Sequence, residues 1–448
     1  MVTEQPEGYV VDENGDVHIY SAEALAWVSV LSNGLHGTEV NTYKGVTITL
    51  ENDIDLSAAR WYAIGVNGFE GIFDGNQKVI SGFTMSSIYG TYVSGLFGTL
   101  SKAIVRNIII QDAKVCYFID DHAGLLAGII KDATIVDNCY ANCNYWLRAS
   151  TSPFIYHIRQ NCTVSNCILY AETIDPVNND IFSGYEGLFT SMVAGGAHVY
   201  NCASIIGEAY FSDWYGFVGG GNSGKIENCY VYLHFLTDNS CSGHPSRKGI
   251  VDLNRGEIYN CYYNRDVLYD NGVDTVPFPS FVDIPYNENY GIVENTFSYA
   301  NDNGFWQLKE SVVFNDNSTD NLLDALNLGA EKLREEGYAC LDWEMSEVDF
   351  LDAELPTLDF SSIFDNTQEL ISNNNVSIYP NPTENNITIE ADDITQIEIY
   401  NTVGQMVERV DADDDSVEIN VSSYNSGVYL MKITLNNGQT FTEKVVVR

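Results

Sequence analysis

The sequence predicts an all-β chain, a parallel β-solenoid followed by a small β-sandwich, and three observations carry that prediction. A short pattern of an aliphatic residue, a variable residue and Asn recurs, ending at Asn107, Asn138, Asn166, Asn201, Asn228 and Asn260, at steps of 27 to 35 residues. The last five of these Asn are each followed by Cys: Cys139, Cys167, Cys202, Cys229 and Cys261. A glycine-led apolar run precedes most copies, as in Gly95-Leu96-Phe97-Gly98, Gly124-Leu125-Leu126, Gly187-Leu188-Phe189, Gly216-Phe217-Val218-Gly219 and Gly249-Ile250-Val251. Finally, helical periodicity is absent here, while β-branched and aromatic residues fill both runs. A unit of about 30 residues with two or three short strands cannot bury its own apolar face, but stacked units bury a continuous core.

The repeat residues follow from that architecture. An Asn at the same corner of every coil can donate to and accept from the Asn above and below it, satisfying amides that would otherwise be buried unpaired. The Cys beside it is expected to point inward as a small hydrophobe. Stacked strands lie about 4.8 Å apart, and parallel Cβ vectors keep that spacing, which exceeds the ~3.8 Å of a disulfide; reduced thiols are expected over disulfides. Zinc has less support, because Cys139 and Cys143 form a CxxxC with no second pair at suitable spacing.

Composition bounds the rest. A chain of 448 residues exceeds one ordinary core. With 21 Lys and Arg against 62 Asp and Glu, the net charge of −41 repels phosphate backbones, so nucleic acid is excluded as a partner. Charged residues are only 19% and aromatics 12%, so the acidity reflects few cations rather than a disordered acidic chain. No apolar run approaches the roughly 18–20 residues that span a bilayer, and MVTEQPEGYV has neither a basic nor an apolar leader region. The expectation is a chain with no transmembrane segment and, as given, no signal peptide.

The stretch 61–83, WYAIGVNGFEGIFDGNQKVISGF, followed by the GLFG at 95–98, resembles the GLUG-type repeats of bacterial surface β-helix proteins. SAEALAW at 21–27 and VTITLENDIDLS at 46–57 resemble the cap helix and first strands that precede such repeats, with Ser21 suited to the N-cap and Glu23 to the first turn. The resemblance covers about 15–270. It implies a right-handed parallel β-helix with an N-terminal cap helix, and a cell-surface, adhesin-like setting without a named ligand. The expected organisation is a cap over 1–62, repeats over 63–270 and a closing segment over 271–360. A helix is expected at 320–336, where Leu322, Leu323, Leu326, Leu328 and Leu333 approximate one face. Such a segment would cap the last exposed strand edges.

Residues 361–375 are polar and read as a linker. Beyond them, VSIYPNP at 376–382, IEIYNTVG at 397–404, SGVYL at 426–430 and KVVV at 444–447 alternate apolar residues at short spacing, as an antiparallel sandwich over 376–448 would. These motifs in this order resemble the C-terminal sorting domain of type IX secretion substrates of Bacteroidota-like bacteria. That resemblance implies the type IX secretion machinery as a partner, export across the outer membrane, removal of the tail in or near 361–375, and release or attachment at the cell surface.

Candidate chemistry is sparse. Asp120, Asp121, His157 and Arg159 could supply acid, base and an anion-binding cation to a polysaccharide-cleaving hydrolase or lyase. The competing reading places the carboxylates in a solvated turn, where Asp is common. No cofactor is expected. Calcium would be held loosely at most: Asp12, Glu13, Asn14 and Asp16, and the run Asp411 to Asp415, are oxygen-rich, but neither continues into a 12-residue loop with a terminal Glu. Asn14-Gly15 reads as a tight hairpin turn and the aspartate run as an exposed loop. Aromatics crowd what read as inserts between coils: Tyr145, Trp146, Phe154 and Tyr156 in one, Tyr210, Phe211, Trp214 and Tyr215 in the next. Tyr145, Trp146, Tyr156, Trp214 and Tyr215 are therefore the ligand-binding candidates, as platforms for sugar rings or anchors for a protein partner; packing back over the coils is the alternative. The sequence thus points to an adhesin or glycan-binding protein, with a carbohydrate-active enzyme and a structural spacer as the other readings.

Overall fold

The computed structural model describes residues 2–86, 93–116, 122–147, 152–175, 187–211, 216–238, 249–264, 268–270, 275–277, 286–302, 305–314, 317–346, 354–360, 377–379, 383, 385–401, 406–422, 424, 427–436 and 440–447. They fall into two compact units, 1–366 and 367–448.

Three strands recur in each coil of the first unit. One coil comprises Ala127–Lys131, Ile135–Asp137 and Tyr140–Leu147. Each strand pairs in parallel with its counterpart above and below, giving three sheets along the solenoid. The first sheet holds the strands that end at the repeated Asn, the second those that follow it, and the third the glycine-led strands. Seven complete rungs run from Phe97–Ser101, Ile104–Arg106 and Ile109–Cys116 to Tyr286–Asn289, Ile292–Glu294 and Phe297–Asp302.

The core follows from the pattern of the first sheet. Phe73, Val105, Val136, Val164, Val199, Ile226 and Ile258 stand in one register column, and all are fully buried. Burying each such side chain stabilises the coil by about 1.5–3 kcal/mol. The Asn that follows turns the corner in the left-handed region, with φ between 51° and 56° at all six repeat positions. Asn is the side-chain-bearing residue that tolerates this region best. That turn brings the next residue inward: Cys139, Cys167, Cys202, Cys229 and Cys261 are fully buried free thiols. Each Sγ donates to the carbonyl two residues earlier, at 2.9–3.3 Å. Close stacking leaves no room for a side chain at the start of the glycine-led runs: a Cβ on Gly124 would meet the Phe154 carbonyl oxygen of the next coil at 2.7 Å.

One end is closed by helix α1, Ala22–Asn33, capped by the Ser21 hydroxyl accepting from the Ala24 amide and ended by Gly34 in the left-handed region. Its Ser29 donates to the Tyr62 carbonyl at 2.7 Å, its Ser32 oxygen accepts from the Gly65 amide at 2.9 Å, and its Asn33 oxygen accepts from the Val66 amide at 2.8 Å. The helix thereby supplies partners that a sheet edge would otherwise leave to solvent.

Past residue 270 the coil pattern, expected to fade, continues. Ile292–Glu294 ends at Asn295, again left-handed at φ 47°, and completes a seventh rung. The closing segment also differs from the expected end cap. Phe305–Phe314 and Asn317–Asn321 extend only the second sheet, antiparallel, and helix α2, Leu322–Glu335, follows. The helix buries Leu322, Ala325, Leu326, Gly329, Ala330 and Leu333, leaving Leu323 and Leu328 half-buried, because its contact stripe is built around small residues rather than leucines alone. From α2 the chain runs back along the side of the coils. Tyr338 packs on His198 and Tyr200, Trp343 on Tyr230, and Phe360 on Tyr140. The physical reason is the outer face of the second sheet, whose Tyr140, Ile168, Ala203, Tyr230 and Tyr262 share one column and need apolar cover.

The second unit is antiparallel throughout its named strands, Ser377–Tyr379, Asn386–Asn401, Met406–Asn420, Gly427–Leu435 and Thr440–Val447. It has its own core, including Ile387, Ile389, Ile397, Ile399, Met431, Ile433 and Val445. Asp411 to Asp415, expected as a loop, lie within the strand Met406–Asn420, where bulges accommodate them against Asn386–Asn401. The expected linker 361–375 lies outside the described residues.

Candidate functional site

The second sheet is built differently from the other two. Its strands reach eight or nine residues in Ile109–Cys116, Tyr140–Leu147, Ile168–Asp175, Ala203–Phe211 and Tyr230–Asp238, against three to five elsewhere in the same rungs. Tyr145 and Trp146, read from sequence as part of an insert, therefore lie in a strand paired on both sides; aromatic residues favour that outcome because they suit a pleated surface. Tyr145 stands beside Lys114. Val115, Trp146, Ile174, Ala209, Leu236 and Tyr269 hold one register row across six strands. Tyr210 and Phe211 occupy the next positions, beside Thr237 and Asp238. Trp214 and Tyr215 fall outside the described residues.

Tyr156 and His157 belong instead to the third sheet, in Ile155–Ile158. Tyr156 is buried, its ring stacked on His157 at 4.1 Å and edge-on to His122 at 4.7 Å. Burial, then the neighbouring His122 and Arg159, lower the His157 imidazole to about 3, so it is neutral at pH 7 and a weak base. Arg159 follows on the exposed side. Asp120 and Asp121 lie outside the described residues.

The six repeat Asn form a ladder with an unforeseen interruption. Asn138 donates to Asn107 at 3.5 Å, Asn201 to Asn166 at 2.8 Å and Asn228 to Asn201 at 2.9 Å. Between Asn138 and Asn166 Asp137 intervenes, accepting from Asn166 at 2.8 Å. Asn260 accepts instead from Asn295 of the seventh rung, at 3.3 Å. The returning segment reads this ladder as one peptide reads another. Asn166 donates to the Ala339 carbonyl and accepts from the Leu341 amide, both at 3.0 Å. Asn201 donates to the Leu341 carbonyl at 3.0 Å and accepts from the Trp343 indole at 2.7 Å. Asn228 donates to the Leu326 carbonyl of α2 at 2.9 Å.

A buried charge cluster locks the same helix down. The Glu227 side chain is fully buried, paired with Lys225, with Lys332 of α2 at 3.1 Å and with His198 at 3.5 Å. Burial alone would raise its carboxyl, but His198, Lys225 and Lys332 hold it down at about 2. Neither Glu227 nor the second amide ladder, Asn222 to Asn254 to Asn289 at 3.0 and 2.8 Å, was singled out in the sequence. The ladder had a signal, an Asn-x-Gly repeated at 222–224, 254–256 and 289–291, in which each glycine amide donates to the Asn oxygen.

Among the described residues no group of three or more His, Cys, Asp or Glu could hold a metal ion. Asp12 accepts from the backbone amides of Asn14 and Asp16, and Asp16 from that of Thr47, so these oxygens shape the hairpin turn. No described helix is long and apolar enough to cross a membrane.

Comparison with known proteins bears chiefly on the second unit. Residues 377–448 match the family described as a secretion system C-terminal sorting domain. The chain is 32% identical over 75 residues to an ulvan lyase, NLR42, of Nonlabens ulvanivorans, covering 16% of this chain and 14% of that protein. It is 32% identical over 72 residues to beta-agarase D of Zobellia galactanivorans, covering 16% and 15%. The chain thus spans about one seventh of the length of these relatives, a stretch the size of the sorting domain alone. No solved structure matches it. The sorting domain marks the chain as a type IX secretion cargo, exported and associated with the cell surface or outer membrane.

Proposed function

We propose that this exported solenoid acts as an adhesin, holding a glycan chain or a surface-protein partner against its long second sheet. The row of Val115, Trp146, Ile174, Ala209, Leu236 and Tyr269, one register position shared by six parallel strands, supports the reading most. Successive strands repeat it about every 4.8 Å, so a linear ligand lying across the strands meets the same kind of surface at each step. Aromatic positions on a rigid sheet offer contact area with little ordering cost. The net charge of −41 favours neutral glycans over polyanions. The test is binding of residues 1–366 to an array of neutral and anionic glycans, beside Trp146→Ala and Trp214→Ala. Loss of a glycan signal in either variant supports the reading; no glycan signal redirects it to protein partners or a spacer role.

A second reading, a polysaccharide-cleaving enzyme, draws on the names of the two relatives. It would use Asp120, Asp121, His157 and Arg159. Shortening of a polysaccharide by the chain, abolished in Asp121→Asn, would establish it. The shared segment is short, and His157 is held neutral in an aromatic cluster, so binding is the reading preferred.

A further inference from the structure

The two ends of the solenoid are not equivalent. Helix α1 and the antiparallel hairpin Tyr9–Val11 with Val17–Ile19 close the first. At the other, Ile292–Glu294 and Tyr286–Asn289 end the first and third sheets, and among the described residues no strand pairs beyond them. Only the second sheet is continued. Cover is thinner there: Val293 is half-buried, whereas its equivalents in the preceding rungs are fully buried, and Tyr290 and Ile292 are 72% and 43% exposed.

Backbone polarity at this edge can be read residue by residue. The Ile292 amide donates to Gly256, and the Glu294 carbonyl accepts from Asn260, so residues 292 and 294 bond toward the sixth rung. By the alternation of a parallel ladder, the amide and carbonyl of Val293 point away from the solenoid. An unpaired edge of this kind is a template for an added strand. The second amide ladder also ends here: Asn289 spends its oxygen on Asn254 and on the Gly291 amide, leaving its amide hydrogens for a further layer.

Charge decides what would add. Glu257, Glu288 and Glu294 are exposed around the edge against one exposed cation, Arg255 of the sixth rung, and 286–294 contains no Lys or Arg. A second copy of the chain would bring the same carboxylates and its own charge of −41 against them. We propose that this end is a strand-addition site for a basic, extended segment of a partner protein, paired along Ile292–Glu294 with its cationic side chains against Glu288 and Glu294. The proposal is independent of the glycan reading, which concerns the second sheet.

The full chain is titrated against two labelled nine-residue peptides, one alternating lysine with valine and one alternating glutamate with valine. The lysine peptide is expected to bind and the glutamate peptide not. Glu288→Lys with Glu294→Lys is expected to weaken the lysine peptide at least about tenfold. Val293→Pro removes only the outward amide while keeping an apolar side chain at an edge position that tolerates proline, so it should abolish binding with the melting temperature little changed. Binding undiminished by Val293→Pro would mean diffuse attraction to an acidic surface and would overturn the proposal. So would absence of binding, or sedimentation showing a dimer of the chain that Val293→Pro dissolves.

Discussion

Glu227→Gln isolates the charge that ties α2 to the coils. The carboxylate is fully buried between Lys225, Lys332 and His198, and its folded-state value of about 2 lies below the ordinary 4.5. A lowered carboxyl contributes stability that is complete above the unfolded value and is lost as pH falls through the folded one. At ~1.36 kcal/mol per pH unit, the separation corresponds to at most about 3 kcal/mol at pH 7. By pH 3 about 2 kcal/mol of that is gone. Glutamine keeps the shape and cannot carry the charge, leaving Lys225 and Lys332 without their carboxylate, a loss of about 3 kcal/mol at pH 7. Urea unfolding of both proteins at pH 7 and pH 3, followed by tryptophan fluorescence, measures the gap. It should shrink from about 3 to about 1 kcal/mol on acidification. A gap of equal size at both pH values would show that the charge is not what holds the helix, and the account of the cluster would fail.

Other perturbations separate the remaining causes. Asn201→Ala should cost about 2–4 kcal/mol, since it orphans partners on Asn166, Asn228, Leu341 and Trp343 and forces alanine to a φ of 54°. Asn201→Gly should recover about 1 kcal/mol of that, because glycine has no left-handed penalty; identical unfolding midpoints for the two variants would contradict the corner argument. His157, lowered to about 3 from 6.5, contributes stability that is complete above pH 6.5 and declines toward pH 3, so His157→Phe should flatten the stability profile between those values. An unchanged acid limb in that variant would place the titration elsewhere. Deleting 377–448 should leave the solenoid folded, since the two units have separate cores, but retained inside the cell. A truncated chain that still reaches the surface would remove the sorting role.

Much of this was legible in the residues because repeat proteins write their geometry many times. Asn followed by Cys marked the corner and the inward thiol in five coils, although the reason first assigned to Asn, its ladder, is only part of it; the backbone conformation is shared by all six positions even where Asp137 breaks the ladder. The strand ending at Asn295 is harder to read because the Pro- and Tyr-rich stretch 276–290 interrupts the pattern just before it. Tyr145 and Trp146 read as insert residues in the sequence because the coil period gives no cue that strands of one sheet run on past it. The returning segment was harder still: nothing local in Ala339, Leu341 or Trp343 announces that their partners are Asn166 and Asn201, about 140 to 175 residues earlier. Glu227 looked like one of many carboxylates, and only the packing of α2 makes it a buried one.

The most direct test of the central claim, that the exported solenoid is a binding surface, is the glycan array probed with residues 1–366 and with Trp146→Ala. The account predicts a neutral glycan bound by the parent and weakened about tenfold or more without the indole, the loss expected of one aromatic anchor. A variant that binds as well as the parent would contradict the role assigned to the long sheet, and a parent that binds no glycan would remove the glycan reading and leave a protein partner or a spacer.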